Sequence, residues 1–216
     1  MLHGWGFVGQ EFEQGLSTLN RRYCNVLTMR DGPAQREAIA SSYLRHIILA
    51  AEVGDRTAPF RDFLDNWFAF EVGGPFLSRG ERPVWFNNPS AWSKRTMMNQ
   101  MHFTSHAARK VLDAAAYDKA AYDDLRRAKD VSVRLMVDHA VPLGVLREHI
   151  LANAALHNTD ELRNYLKCTY RLGVITHAED AVLTRLGLRS TMPEGWDGTN
   201  VYARYEAAGV AGVSIT

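Results

Sequence analysis

The stretch VSVRLMVDHAVPL, residues 131–143, decides the fold class. Val131, Val133 and Val137 are β-branched, which favours a pleated, half-buried strand. The run is too short for periodicity to separate strand from helix. Read as a strand, it places a small β element at residues 131–141. A second short apolar run, RLGVIT at residues 171–176, offers a partner near 172–176.

Outward from these two runs the chain reads as helix. Phe12, Leu16, Leu19, Tyr23 and Val26 fall on one stripe. The segment beginning at Pro33 carries Ile39, Tyr43 and Ile47 beside Leu44 and Ile48, with Pro33 suited to a first helical turn. APFRDFLDNWFAFEV, residues 58–72, groups Phe63, Trp67 and Phe70 beside Leu64 and Phe68. A further helix is expected from Ser90 through residue 116, with Met97, Met101, Ala108 and Leu112 inward. YDKAAYDDLRRAK forms a shorter one, and residues 143–156 another. Asn158 with Glu161, and Thr176 with Glu179, have capping-box spacing. The tail from Ser190 is rich in turn residues and is expected to wrap the surface, with a short helix around YARYEAAG. The expectation is a mainly α chain, a helical bundle with small β elements near 131–141 and 172–176.

Three regions follow: a helical subdomain at 1–71, a Gly/Pro-rich connection at 72–90, and a mainly helical region at 91–216 that carries most histidines. The two helical regions can equally form one continuous domain. In the connection, Arg79, Arg82, Trp85 and Phe86 mix cations with aromatic rings, a composition that meets phosphates and stacks bases. The same residues suit a hairpin that covers the core.

Composition narrows the function classes. The 216 residues are 46% hydrophobic and 23% charged, which excludes a disordered chain. The formal net charge of +1 gives no global field toward phosphate or anionic lipid, so a nucleic-acid site must be a local patch. Cys24 and Cys168 alone suggest a reducing compartment rather than a disulfide framework. Neither a secretory leader nor a run long enough to span a bilayer is expected. The expectation is a cytoplasmic protein without a membrane partner. Dinucleotide, P-loop and nucleophile-elbow signatures are absent.

Five of the eight histidines lie between 102 and 157. His102 and His106 have i, i+4 spacing, which on a helix would let both share a metal ion. Phe103 stands where a zinc protease helix carries its glutamate, so that chemistry is excluded. His149, Asn153 and His157 repeat the spacing along one expected stripe, as either partly buried residues or a cleft lining.

VDHAVPL, at residues 137–143, resembles the central motif of the HNH, or ββα-metal, nucleases, in which an Asp-His pair ends a strand. The resemblance implies His139 as general base and Asp138 as metal ligand or orienter. It implies Asn153 and His157 as further ligands, around a divalent Mg, Mn or Zn ion. His102 and His106 are the alternative metal pair. Arg134 precedes His139 at a spacing similar to that of HEPN ribonucleases, and joins Arg79, Arg82 and Trp85 as a nucleic-acid contact. Such Arg–His spacings also arise by chance, here at Arg95 with His102 and Arg171 with His177. The expected function is metal-dependent phosphodiester hydrolysis in nucleic acid. Two alternatives accompany it. One is a non-enzymatic helical adaptor or inhibitor binding a protein partner through Trp5, Trp85, Trp92 and Trp196. The other is a DNA-binding regulator using a helix-turn-helix around ITHAEDAVLTRLGL.

Overall fold

A computed structural model describes residues 32–73, 77, 101–116, 118–127 and 129–214. The described chain is mostly helical around a small mixed sheet. In order come α1 (Gly32–Glu52), α2 (Phe60–Val72), β1 (Phe103–Ser105), α3 (His106–Ala114), α4 (Lys119–Arg127) and β2 (Leu135–His139). They are followed by α5 (Leu143–Ala152), a 3₁₀ turn (Ala154–Leu156), α6 (Thr159–Thr169), β3 (Leu172–Thr176), α7 (His177–Arg185), α8 (Ala203–Ala207) and β4 (Gly212–Ser214). The stripe at residues 12–26 and the loop residues Arg79, Arg82, Trp85 and Phe86 lie outside the described residues.

The helical faces read from periodicity are the buried ones. Ala40, Leu44, Ile47, Ile48 and Ala51 of α1 pack inward, with Ile39 and Tyr43 beside them; α2 buries Phe60, Leu64, Trp67, Phe68 and Phe70. Each such large side chain contributes about 1.5–3 kcal/mol of transfer free energy. These two helices share one apolar core with Leu112, Leu135, Leu146, Ile150, Leu162, Leu166, Leu172 and Val174.

The stretch at 131–143 is a strand, because it finds a partner. Leu135–His139 pairs antiparallel with Leu172–Thr176, and β3 pairs parallel with β1, giving the order β2-β3-β1-β4. Antiparallel β4 closes the other edge. Gly212 is required there: an added Cβ would stand 2.4 Å from Phe103 Cζ and 2.5 Å from the Thr104 carbonyl.

Three expectations change. The helix expected from Ser90 through residue 116 is interrupted by a strand, because Phe103–Ser105 pair in the sheet and Ser105 caps α3 at His106 by accepting from Ala108 N–H; residues 90–100 of that expectation lie outside the described residues. The helix over 143–156 ends at Ala152, where Asn153 leaves helical backbone angles and caps the 3₁₀ turn instead. The tail does not simply wrap the surface: Arg204 and Tyr205 are essentially fully buried, and β4 joins the sheet.

Both expected positions cap their helices, but only the second forms the full capping box. Asn158 accepts from the N–H groups of Asp160 and Glu161. Thr176 and Glu179 make a reciprocal capping box at α7. Glu179 Oε2 also accepts from Ser105 Oγ at 2.7 Å, so one carboxylate ties together the starts of α3 and α7.

Candidate functional site

Successive residues of a strand face opposite sides of the sheet. Asp138 and His139 are therefore sent apart, each into its own set of partners. On one face Asp138 Oδ2 accepts from Arg204 Nη2 and, at 3.0 Å, from the Tyr205 hydroxyl. Gly173 opposes Asp138 across the β2–β3 pair, and its missing side chain leaves room for Tyr205. Arg204 also donates to the carbonyls of Ala140 (2.8 Å), Leu188 (3.1 Å), Arg189 (3.3 Å) and His139. Burial pushes the Tyr205 hydroxyl well above its ordinary pKa, and the Asp138 charge adds to this, so it stays a donor.

On the other face His139 Nε2 lies 2.9 Å from Asp65 Oδ1 and 3.2 Å from the Tyr170 hydroxyl, which itself donates to Asp65 Oδ1 at 2.7 Å. A carboxylate only accepts, so His139 carries its proton on Nε2. Burial, followed by the Asp65 charge, holds Tyr170 in its neutral form. All three groups are buried. The cluster joins α2, the end of β2 and the residue after α6.

The remaining expected ligands do not meet it. Asn153 Oδ1 accepts from Ala155 N–H, and His157 Nε2 donates to the Ile150 carbonyl at 3.2 Å. His102 and His106 flank β1 instead of sharing a helical face. Four extended residues separate them by about 13 Å, against about 6 Å along a helix. His106 is exposed at the start of α3. His102 Nδ1 accepts from the Leu172 N–H at 3.1 Å. Metal ligation through its Nε2 would require a proton on Nδ1, where that N–H already points. No cluster of three or more His, Cys, Asp or Glu groups suited to a metal occurs among the described residues. Asp138, His139, Asn153, His157 and His102 are each engaged with other protein groups instead.

What the fold does assemble is a cleft that sequence spacing did not indicate. Trp67, Phe68, Glu71 and Val72 of α2 face Leu166, Lys167, Tyr170 and Arg171 at the end of α6, with His102 at the side, around a cavity of about 240 Å³. Glu71 pairs with Lys167 at 2.8 Å and lies 3.5 Å from Arg163 Nε. Arg171 Nη1 donates to the carbonyls of Lys167 and Tyr170, answering the negative end of α6. Burial, reinforced by Arg171, pushes the His102 pKa down to about 4. At neutral pH His102 is uncharged and carries its proton on Nε2. The only sequence signal for this cleft was the aromatic stripe of α2, which reads equally as core.

No family model, curated protein or solved structure matches this chain.

Other expected features have local roles. Trp196 donates its indole N–H to the Asn200 carbonyl and packs against the main core. Trp5, Trp85 and Trp92 lie outside the described residues. α7 follows a strand and is succeeded by turns up to α8, so ITHAEDAVLTRLGL does not form a helix-turn-helix. Arg134 accepts from His177 N–H through its carbonyl just before β2. Cys168 is a free, exposed thiol. Among the described residues no helix is long and apolar enough to cross a membrane.

Proposed function

We propose that the chain recognises single-stranded nucleic acid or its nucleotides by taking one unpaired base into the cleft between α2 and α6. The observation that supports this reading is a polar lining whose side chains are each engaged with the protein. Glu71 is paired with Lys167, Arg171 is engaged with helix carbonyls, and His102 is neutral. Such a lining complements a planar, uncharged ring with hydrogen-bonding edges better than a bare ion. Arg171 keeps Nε and Nη2 without a protein partner among the described residues, and a guanidinium plane both donates and stacks. The cavity, about 240 Å³, is smaller than the roughly 300–1,000 Å³ of drug-sized sites, which suits a single ring.

The reading is recognition rather than hydrolysis. Buried His139 is committed to Asp65 and Tyr170, and a His102 pKa of about 4 is far from the neutral range where a general base works best.

The test is titration of the full chain with adenosine and uridine 5′-monophosphates, short oligoadenylate and oligouridylate, and duplex DNA. Saturable binding of the unpaired ligands is expected, weakened about tenfold or more in His102→Ala and Arg171→Ala, which corresponds to about 1.4 kcal/mol. Circular dichroism checks that both variants fold. Failure of every nucleotide and strand to bind at millimolar concentration, or unchanged binding in both folded variants, would sink the reading.

A further inference from the structure

We infer that Arg171 holds the phosphate of the nucleotide ligand, gripping two of its oxygens through Nε and Nη2 while the base occupies the cleft. This rests on the cleft reading above and names the part of the ligand that reading leaves open. Among the described lining residues Glu71 is the one carboxylate, against the two cations Lys167 and Arg171. Glu71 is already answered: Lys167 Nζ meets Oε1 at 2.8 Å, and Arg163 Nε stands 3.5 Å from Oε2. The surplus positive charge of the lining is therefore that of Arg171, whose hydrogen bonds go to carbonyls and not to a carboxylate. Arg171 is half-buried and neither free nitrogen is enclosed, so an incoming anion reaches them.

The guanidinium is also held in place. Nη1 donates to the carbonyls of Lys167 and Tyr170 at the end of α6. With Nη1 so engaged, the planar group presents a side-on fork of two parallel N–H donors, Nε and Nη2. Such a fork matches two oxygens of a phosphate or a carboxylate. A base in the cavity selects the phosphate, because a nucleotide carries one on its sugar. Burial, followed by the Arg171 charge, keeps a proton off His102, so that charge acts inside the cleft.

The experiment titrates the full chain with adenosine and with adenosine 5′-monophosphate, and repeats both titrations in Arg171→Gln. In the parent the nucleotide is expected to bind about tenfold or more tightly than the nucleoside, an advantage that shrinks as salt rises. Arg171→Gln should bring the ratio of the two dissociation constants close to one, whatever happens to either constant alone. Circular dichroism checks that the variant folds. Should it unfold, the native chain ¹⁵N-labelled at arginine supplies the readout: the Arg171 Nε–H resonance is expected to move with the nucleotide and far less with adenosine. A ratio near one in the parent, an undiminished ratio in folded Arg171→Gln, or an Nε–H that responds equally to both ligands would overturn this inference and leave the cleft reading standing. Absence of binding by either ligand would overturn both.

Discussion

His139 donates to Asp65 across 2.9 Å, linking the end of β2 to α2 over 74 positions of chain. Removing one partner of such a buried pair strands the other charge. His139→Ala is expected to lose about 3–5 kcal/mol of stability. His139→Gln, which can place an amide N–H near Nε2, should retain a substantial part of it. Urea denaturation of the two variants checks this; a loss below about 1 kcal/mol in His139→Ala would mean that the cluster is not structural. Any loss of activity in that variant must accordingly be separated from unfolding.

Arg204 fastens the tail to the opposite face of the same strand. Its essentially fully buried guanidinium serves Asp138 and four carbonyls, so Arg204→Ala should destabilise by about 3–5 kcal/mol. Asp138→Asn, which keeps an acceptor, should cost less. Hydrogen exchange should show the amides of β4 and α8 losing protection first in Arg204→Ala. Uniform loss across the whole protein would argue against local anchoring.

Glu179 joins two helix starts through Ser105 and Thr176. Glu179→Ala should lower stability by about 2 kcal/mol, near the upper end for loss of one cap. The Ser105→Ala and Glu179→Ala effects should not add, since the two groups share a hydrogen bond. A double-mutant cycle with a coupling near zero would refute the joint role.

His102 makes stability depend on pH. Its ordinary value of 6.5 falls to about 4 in the fold, so the unfolded chain takes up the proton first as pH falls. Its contribution is fully present above about pH 6.5 and is progressively lost as pH falls through about 4. Allowing for solvent screening of a partly buried group, the loss is on the order of 2 kcal/mol. His102→Asn can still accept from Leu172 through its amide oxygen and should flatten the pH dependence in that window. Parallel stability curves for parent and variant between pH 4 and about pH 7 would contradict this.

Much of the helical architecture was local information. The stripes of α1 and α2 follow from the spacing of large apolar residues, and the α7 cap follows from Thr176 and Glu179 lying three apart. The strand at Leu135–His139 was legible only as an alternative, because its choice over helix depends on pairing with Leu172–Thr176. The β1 strand inside HFTSH was not legible, since three residues carry no usable period and the apparent His102–His106 pattern imitates a helix.

For the site, the sequence determined that VDHAVPL would contain an Asp-His pair at the end of a short apolar run. Its tertiary surroundings decided what the pair does. Alternation along β2 sends Asp138 to Arg204 and His139 to Asp65, partners far along the chain that no local spacing announces. The cleft beside Trp67 and His102 likewise comes from α2 meeting the end of α6. Local pattern is set by backbone geometry over a few residues; buried charge pairs and cavities are set by which distant surfaces pack together.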